Sequence, residues 1–519
     1  MQKPSPDSIR TKTRVLILLA AAVAAWSSPL TAQTRHLTIL HWNDFHSQDS
    51  PFKVDAVDSS TGVKTSYLVG GSAVLFGLID SLRGSRRDLL VLNAGDDFQG
   101  TPISTVTKGR SQIELMNIIH PDAVTLGNHE FDYDYSSLRK QLRLAKYPIV
   151  VANLLNSATR RRVYRSCLVK DVNGLRVAVI GVTTPELPQL TLPKNIIGLS
   201  VVSPVPVVRA IIDSLRRVRH PNLVVVLSHM GVDADRMLAD SVETIDVIIG
   251  GHSHTALFRP VKQKRTIICQ AGSRGRYLGR LDLTVDVTGD SVQSYQGTLI
   301  ETRNGTVTPD TAAARLVASF ERRIDASFNR PIGTVTADWT VTHGEESSLG
   351  DWEADVMRRY SKTDIALQNS GGIRRSISAG TIRVRDLWEV NPFDNTFVTF
   401  SVRGDTLRMM MAKQVERKTE LMQVSGLRYS FSLDSAGGRL IELTVGDKPV
   451  VDTAHYSVVT NNFVGAHLGD FFGVPDSTLR VRDLGVRDRD VFIEAVERDK
   501  VIHPSTDGRI KQVSEVEKR

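Results

Sequence analysis

Five short polar motifs carry most of the chemistry that this chain could perform: Asp44-Phe45-His46, Gly95-Asp96-Asp97, Gly127-Asn128-His129-Glu130, Ser228-His229 and Gly251-His252-Ser253-His254. Imidazole, carboxylate and carboxamide are natural ligands of Zn, Mn or Fe, and no thiolate stands among them. Two histidines one residue apart directly after a glycine pair can face one ion, because glycine lets the backbone approach closely. A lone Asp-x-His is most often a surface turn. All five motifs, however, follow short apolar runs in one half of the chain, which independent accidents would not do.

Those runs are Leu37 to His41, Leu89 to Leu92, Ala123 to Leu126, Leu223 to Leu227 and Ile245 to Ile249. Rich in Val, Ile and Leu, they read as strands covered on both faces. Between them, Ser72 to Leu82 and Val207 to Val218 carry apolar residues at helical spacing. Strand alternating with helix predicts an α/β layered domain. In such sheets, sites form outside the carboxyl ends of the strands, which is where the motifs stand.

In order, DxH, GDxxQG (Gly95 to Gly100), GNHEFD (Gly127 to Asp132), SHMG and GGHSH resemble the 5′-nucleotidase family of calcineurin-like metallophosphoesterases. The resemblance implies an N-terminal four-layer α/β/β/α sandwich joined by a helix to an α+β C-terminal domain. It also implies two divalent metal ions, Zn, Mn or similar. Asp44, His46 and His254 would hold one, Asn128, His229 and His252 the other, and Asp96 would bridge them. His129 matches the family's catalytic histidine and Asp132 its partner, although Asp132 taken alone also suits an N-cap for a helix over Tyr133 to Leu142. Two ions bring four positive charges and two carboxylates remove two, so a surplus remains to attract phosphate and acidify a bound water. The implied reaction is in-line attack of a metal-activated water on phosphorus.

The C-terminal half continues the resemblance. Asn369-Ser370-Gly371-Gly372-Ile373-Arg374 is similar to the family's glycine-rich segment, where the arginine contacts phosphate and the asparagine contacts the base or nearby groups. Phe393 and Phe463 match two rings that sandwich a nucleobase, and Asp470 matches a carboxylate that binds ribose hydroxyls, one residue further from Phe463 than the family pattern. One departure is plain: where a further phosphate-binding arginine aligns, this chain has His343-Gly344-Glu345-Glu346. A histidine is charged only below its pKa, so compensation from Arg375, Arg383 or Arg385 is an open alternative.

The expected activity is hydrolysis of nucleoside 5′-monophosphates to nucleoside and phosphate. The alternatives are a UDP-sugar hydrolase, a 2′,3′-cyclic-nucleotide phosphodiesterase with 3′-nucleotidase activity, and a non-catalytic nucleotide-binding protein, which would predict a damaged ligand set.

A chain of 519 residues, 41% hydrophobic and 24% charged, is globular and long enough for more than one domain. Lys3, Arg10, Lys12 and Arg14, then the apolar Val15 to Ala25, then small residues up to Ala32, read as a secretory signal over 1–32. Export to a periplasm or beyond the cell is therefore expected, without membrane insertion. The net charge of +8 falls to about +5 without that segment, too little to imply nucleic-acid binding. The metal domain is expected over 33–305, a linker helix over 306–330 with Asp310 as cap, and the substrate domain over 331–519. Cys167 and Cys269 receive no function, and the sequence does not specify an oligomeric state.

Overall fold

The computed structural model describes residues 33–57, 62, 64–417, 420–434 and 437–513; the signal segment expected over 1–32 lies outside them. Two large sheets build the N-terminal half. One runs Ser291–Glu301, Tyr277–Asp286, Thr34–Trp42, Leu89–Asn93 and Ala123–Val124; the other includes Cys167–Val172, Leu175–Thr183, Leu223–His229, Val247–Ile249 and Thr266–Cys269.

Side-chain alternation along the strands builds the layers. Leu37 and Ile39 point between the sheets, where they meet Val177, Val179, Leu223 and Val225. Leu40 and Trp42, one residue out of phase, pack under the helices Ser72–Arg83 and Arg110–Ile119. On the far side, Ala178, Ile180, Val224 and Val226 pack under Pro204–Val218 and Val232–Ser241. The result is the expected four layers, helix, sheet, sheet, helix. Inner strands such as Leu223–His229 are buried at every position, which explains their unbroken apolar runs.

Two of those runs overstate their strands. Pairing stops at Val124 in one and begins at Val247 in the other. The remaining residues bend into the loops that bear Asn128 and follow Glu243.

The helix Thr311–Phe328 joins the halves, and the Asp310 carboxylate accepts the Ala313 N–H at 2.6 Å as its cap. It lies inside the segment 306–330 in which it is expected. The C-terminal domain centres on a mixed sheet ordered Met422–Ser425, Ile365–Asn369, His455–Asn461, Thr396–Arg403 and Arg482–Arg487. Ile365 and Leu367 face one core and Ala366 the other. Among the described residues, no helix is long and apolar enough to cross a membrane.

Candidate metal and substrate site

All seven candidate ligands converge outside the carboxyl ends of the N-terminal strands. Asp44, His46 and His254 form one group and Asp96, His229 and His252 a second, with the ligating atoms of each group within 4.8 Å of one another. His46 Nε2 lies 3.0 Å from His254 Nε2, and His254 Nε2 lies 3.3 Å from Asp44 Oδ1. Asp96 also groups with His46 and His129, so it stands between the two clusters.

The loops reach this geometry through uncommon backbone. Asp44, His46, Asp96, His252 and His254 all have left-handed φ, between 49° and 79°. Side chains other than glycine disfavour that region, and its use at five ligand positions is strain of the kind held at functional sites. Gly127 is needed for a different reason: a Cβ there would collide with Asp96 Oδ1 and approach His229 Nε2 to 2.6 Å.

The donor set fits divalent ions. His229 donates its Nδ1 hydrogen to the Ala94 carbonyl at 2.7 Å, so in the neutral ring Nε2 carries a lone pair. That lone pair faces Asp96 Oδ2 at 3.0 Å without a hydrogen bond, and the buried Asn128 Oδ1 has no partner either. Two lone pairs at such a distance repel unless a proton or a cation lies between them. For the side chains alone, burial lowers His229, but the Asp96 carboxylate overrides it and lifts the imidazole to about 10. A divalent ion supplies the same positive charge. His252 behaves oppositely, held at about 4 by burial and the neighbouring His229.

His129 projects into the cavity beside this cluster. Its Nδ1 lies 2.7 Å from Asp132 Oδ2, and its backbone N–H donates to Asp96 Oδ1 at 2.9 Å. Burial pulls the imidazole down, yet the Asp132 and Asp96 carboxylates more than reverse that and raise it. Asp132 is not the cap of the next helix: Tyr135–Leu142 is capped by Asp134, which accepts the Ser137 N–H at 2.8 Å.

A cavity of about 1040 Å³ extends from Asp96, Asn128 and His129 to Asn369, Gly371, Gly372, Arg374, Phe393, Phe463 and Asp470. Every substrate residue expected from the sequence therefore reaches one space. Asn369 ends the strand Ile365–Asn369 and Phe463 follows the strand His455–Asn461, and the two strands run parallel. The Phe393 ring lies 5.9 Å from His129, whereas Phe463 packs on His467 at 4.7 Å. The domains touch at the site: Arg274 donates to the Arg374 carbonyl at 2.6 Å, and His467 Nε2 lies 3.1 Å from the Pro188 carbonyl.

Compensation for the missing arginine does not come from the expected side chains. Arg375 pairs with Glu389, Arg385 with Glu321 at 3.0 Å, and Arg383 donates to the Asn329 carbonyl at 2.6 Å. Partial burial and the Arg374 guanidinium hold the His343 imidazole below its ordinary value, so it is a poor cation. The basic groups among the described cavity residues are Arg374, Arg417, Lys108 and Lys194. Arg417 sits with its guanidinium 4.6 Å from the Phe471 ring centre.

Sequence reading missed Arg417, Asn43 and Glu420, and gave Glu130 no role of its own. Asn43 donates to Asp44 Oδ2 at 2.6 Å, and the Glu420 carboxylate lies so close over Gly371 that a Cβ would strike it. Glu130 stands inside the Gly127 to Asp132 motif and Asn43 adjoins Asp44, which is the only signal the sequence offers; Arg417 and Glu420 sit in a segment without one.

Known proteins share both halves. The calcineurin-like phosphoesterase family profile matches residues 37–256, and the profile of the 5′-nucleotidase C-terminal domain matches 331–474. A 5′-nucleotidase of Rattus norvegicus is 28% identical over 96% of this chain and 93% of its own length. The crystal structure of a 5′-nucleotidase precursor from Thermus thermophilus superposes with a TM-score of 0.83 at 30% identity, covering 93% of this chain and all of that one. The sulfate thiohydrolase SoxB of Termus thermophilus superposes with a TM-score of 0.79 over 92% of this chain and 97% of its own, but at 16% identity it shares the fold alone.

Proposed function

The chain belongs to the 5′-nucleotidase family of calcineurin-like phosphoesterases, and from that premise we propose that it is an exported, two-metal enzyme that hydrolyses nucleoside 5′-monophosphates to nucleoside and phosphate. Enzymes of this kind are metal-dependent phosphoric ester hydrolases. The observation that carries the finer reading is the continuity of one cavity from the ligand clusters to Arg374, Phe393 and Phe463.

Asp44, His46 and His254 would hold one divalent ion, Asn128, His229 and His252 the other, and Asp96 both. Such ions supply a nucleophile at neutral pH and stabilise charge on the phosphoryl oxygens. The chain's own groups do the rest. His129, fixed by Asp132, presents the other imidazole nitrogen to a phosphoryl oxygen as a hydrogen-bond donor. Arg374 offers a planar fork for two phosphate oxygens and holds the group in line with the attacking and leaving atoms. Phe393 and Phe463 hold the base, and Asp470 accepts from ribose hydroxyls. Export rests on the basic and apolar segment before residue 33.

A second reading, hydrolysis of a UDP-sugar at its pyrophosphate, is favoured by the cavity volume of about 1040 Å³, ample for a substrate larger than a mononucleotide. The test is phosphate release by the metal-stripped chain, reconstituted with Zn or Mn, from AMP, UMP, UDP-glucose, 2′,3′-cyclic AMP and p-nitrophenyl phosphate, with a coupled phosphatase where the product is a monoester. Metal-dependent preference for a 5′-monophosphate supports the first reading. Preference for UDP-glucose moves the assignment to the second, and turnover of the aryl phosphate alone removes the nucleoside site.

A further inference from the structure

Glu130 lies at the centre of the ligand loops without being placed to hold an ion. The side chain is 3% exposed and sits on the short 3₁₀ turn His129–Phe131. Its Oε2 accepts the N–H groups of Asp96 at 3.0 Å and Gly127 at 2.6 Å. Its Oε1 accepts those of Asp97 at 2.7 Å and Phe98 at 3.2 Å. A carboxylate offers about four lone-pair sites, and here backbone donors fill them all.

The donors come from two loops. One carries Asp96, shared between the clusters; the other carries Asn128 and His129. Those loops are already in contact, since a Cβ on Gly95 would stand 2.6 Å from the Gly127 nitrogen. The His129 N–H also reaches back to Asp96 Oδ1 at 2.9 Å. We propose that Glu130 is the positioning residue of the metal centre: its carboxylate locks the Asp96 loop to the Asn128 loop and thereby sets the distance between the ligands of the two ions. This inference rests on the two-metal reading above. Without the carboxylate, four buried N–H groups lose their acceptor, and the cost falls on the residues that aim the ligands.

Glutamine at position 130 keeps the shape but turns one acceptor oxygen into an NH2 group facing two N–H donors. A control exists in the other domain, where Asp364 Oδ2 accepts the N–H of Ser457 at 2.8 Å and its hydroxyl at 2.7 Å. Metal-stripped full-length wild type, E130Q and D364N are titrated with Zn or Mn by equilibrium dialysis, with thermal unfolding followed in parallel. We expect E130Q to bind metal ~10–100-fold more weakly, with turnover partly restored by excess metal. D364N should unfold at lower temperature yet bind metal as wild type does. Wild-type affinity in E130Q, or an equal loss of affinity in D364N, overturns the proposal. Should E130Q fail to fold, E130D decides: its shorter reach predicts an intermediate loss, and wild-type affinity contradicts it. A wild type that binds metal but hydrolyses no nucleotide would sink the substrate assignment and leave this inference standing.

Discussion

The two walls of the cavity hold their functional residues by different means. On the N-terminal wall, five of the seven candidate ligands stand in left-handed backbone, and hydrogen bonds tie Asp44 to Asn43, His229 to Ala94 and Asp96 to Glu130. On the C-terminal wall, Asn369, Arg374, Phe393, Phe463 and Asp470 have no such backbone, and Phe463 is held by a tilted contact with His467 and an edge-on contact with Phe471. The contrast matches the tolerance of each task. Ligand geometry must be held to within ~0.5 Å, whereas a base stacks on a ring over a range of offsets.

If that division is right, substitutions on the first wall strike every substrate alike. Asp96→Ala removes the shared carboxylate and should reduce hydrolysis of AMP and p-nitrophenyl phosphate together to background, read as phosphate release with saturating metal. Full activity in that variant would sink the two-metal account. His129→Ala should lower kcat by ~10²–10⁴-fold on both substrates and leave KM within a few-fold of wild type, as steady-state kinetics would record. Loss confined to AMP would place His129 with the nucleoside instead.

Arg374→Ala is the attempt to break the comparison. It sits on the C-terminal wall but is aimed at the group common to all substrates, and the Asp96, Asp132 and Asp44 charges all act on it. KM should rise for AMP and the aryl phosphate alike, by ~10–100-fold, the value of a hydrogen bond to a charged group. A rise for AMP alone would mean that it reads the nucleoside.

The smallest effect concerns stability alone. Burial raises the Asp488 carboxyl of the C-terminal domain to about 7, whereas an unfolded aspartate titrates near ~3.9. The folded state therefore binds more protons. The stability this group contributes is fully present below ~4 and is lost as pH rises through about 7. Asp488→Asn should match wild type in urea unfolding at pH 4 and exceed it at pH 8 by up to ~4 kcal/mol, with turnover unchanged. Equal stability at pH 8 would refute the shift.

The same contrast explains what the sequence made legible. Ligands after buried strands announce themselves, because Val, Ile and Leu runs and polar tips alternate in the one-dimensional record. The four layers follow from the same runs. Strand ends at Val124 and Val247 are not legible, since an apolar residue packs equally well in a strand or in the bend beside it. Asp132 shows the limit most clearly: capping and pairing with His129 are indistinguishable in sequence, and only the placement of Asp134 at the helix start separates them. Glu130 stands in a motif, but nothing in the sequence says that its carboxylate faces backbone N–H groups. Arg417 enters the cavity from a turn with no periodicity, so its place there could not be read before the fold was known.

The central claim, chemistry on one wall and nucleoside recognition on the other, is tested most directly by the ratio of kcat/KM for AMP to that for p-nitrophenyl phosphate in wild type and Phe463→Ala. Loss of one stacked base costs ~1–3 kcal/mol, so the ratio should fall by ~5–150-fold through AMP alone, with the aryl phosphate unchanged. An unchanged ratio, or an equal loss on both substrates, would contradict the division.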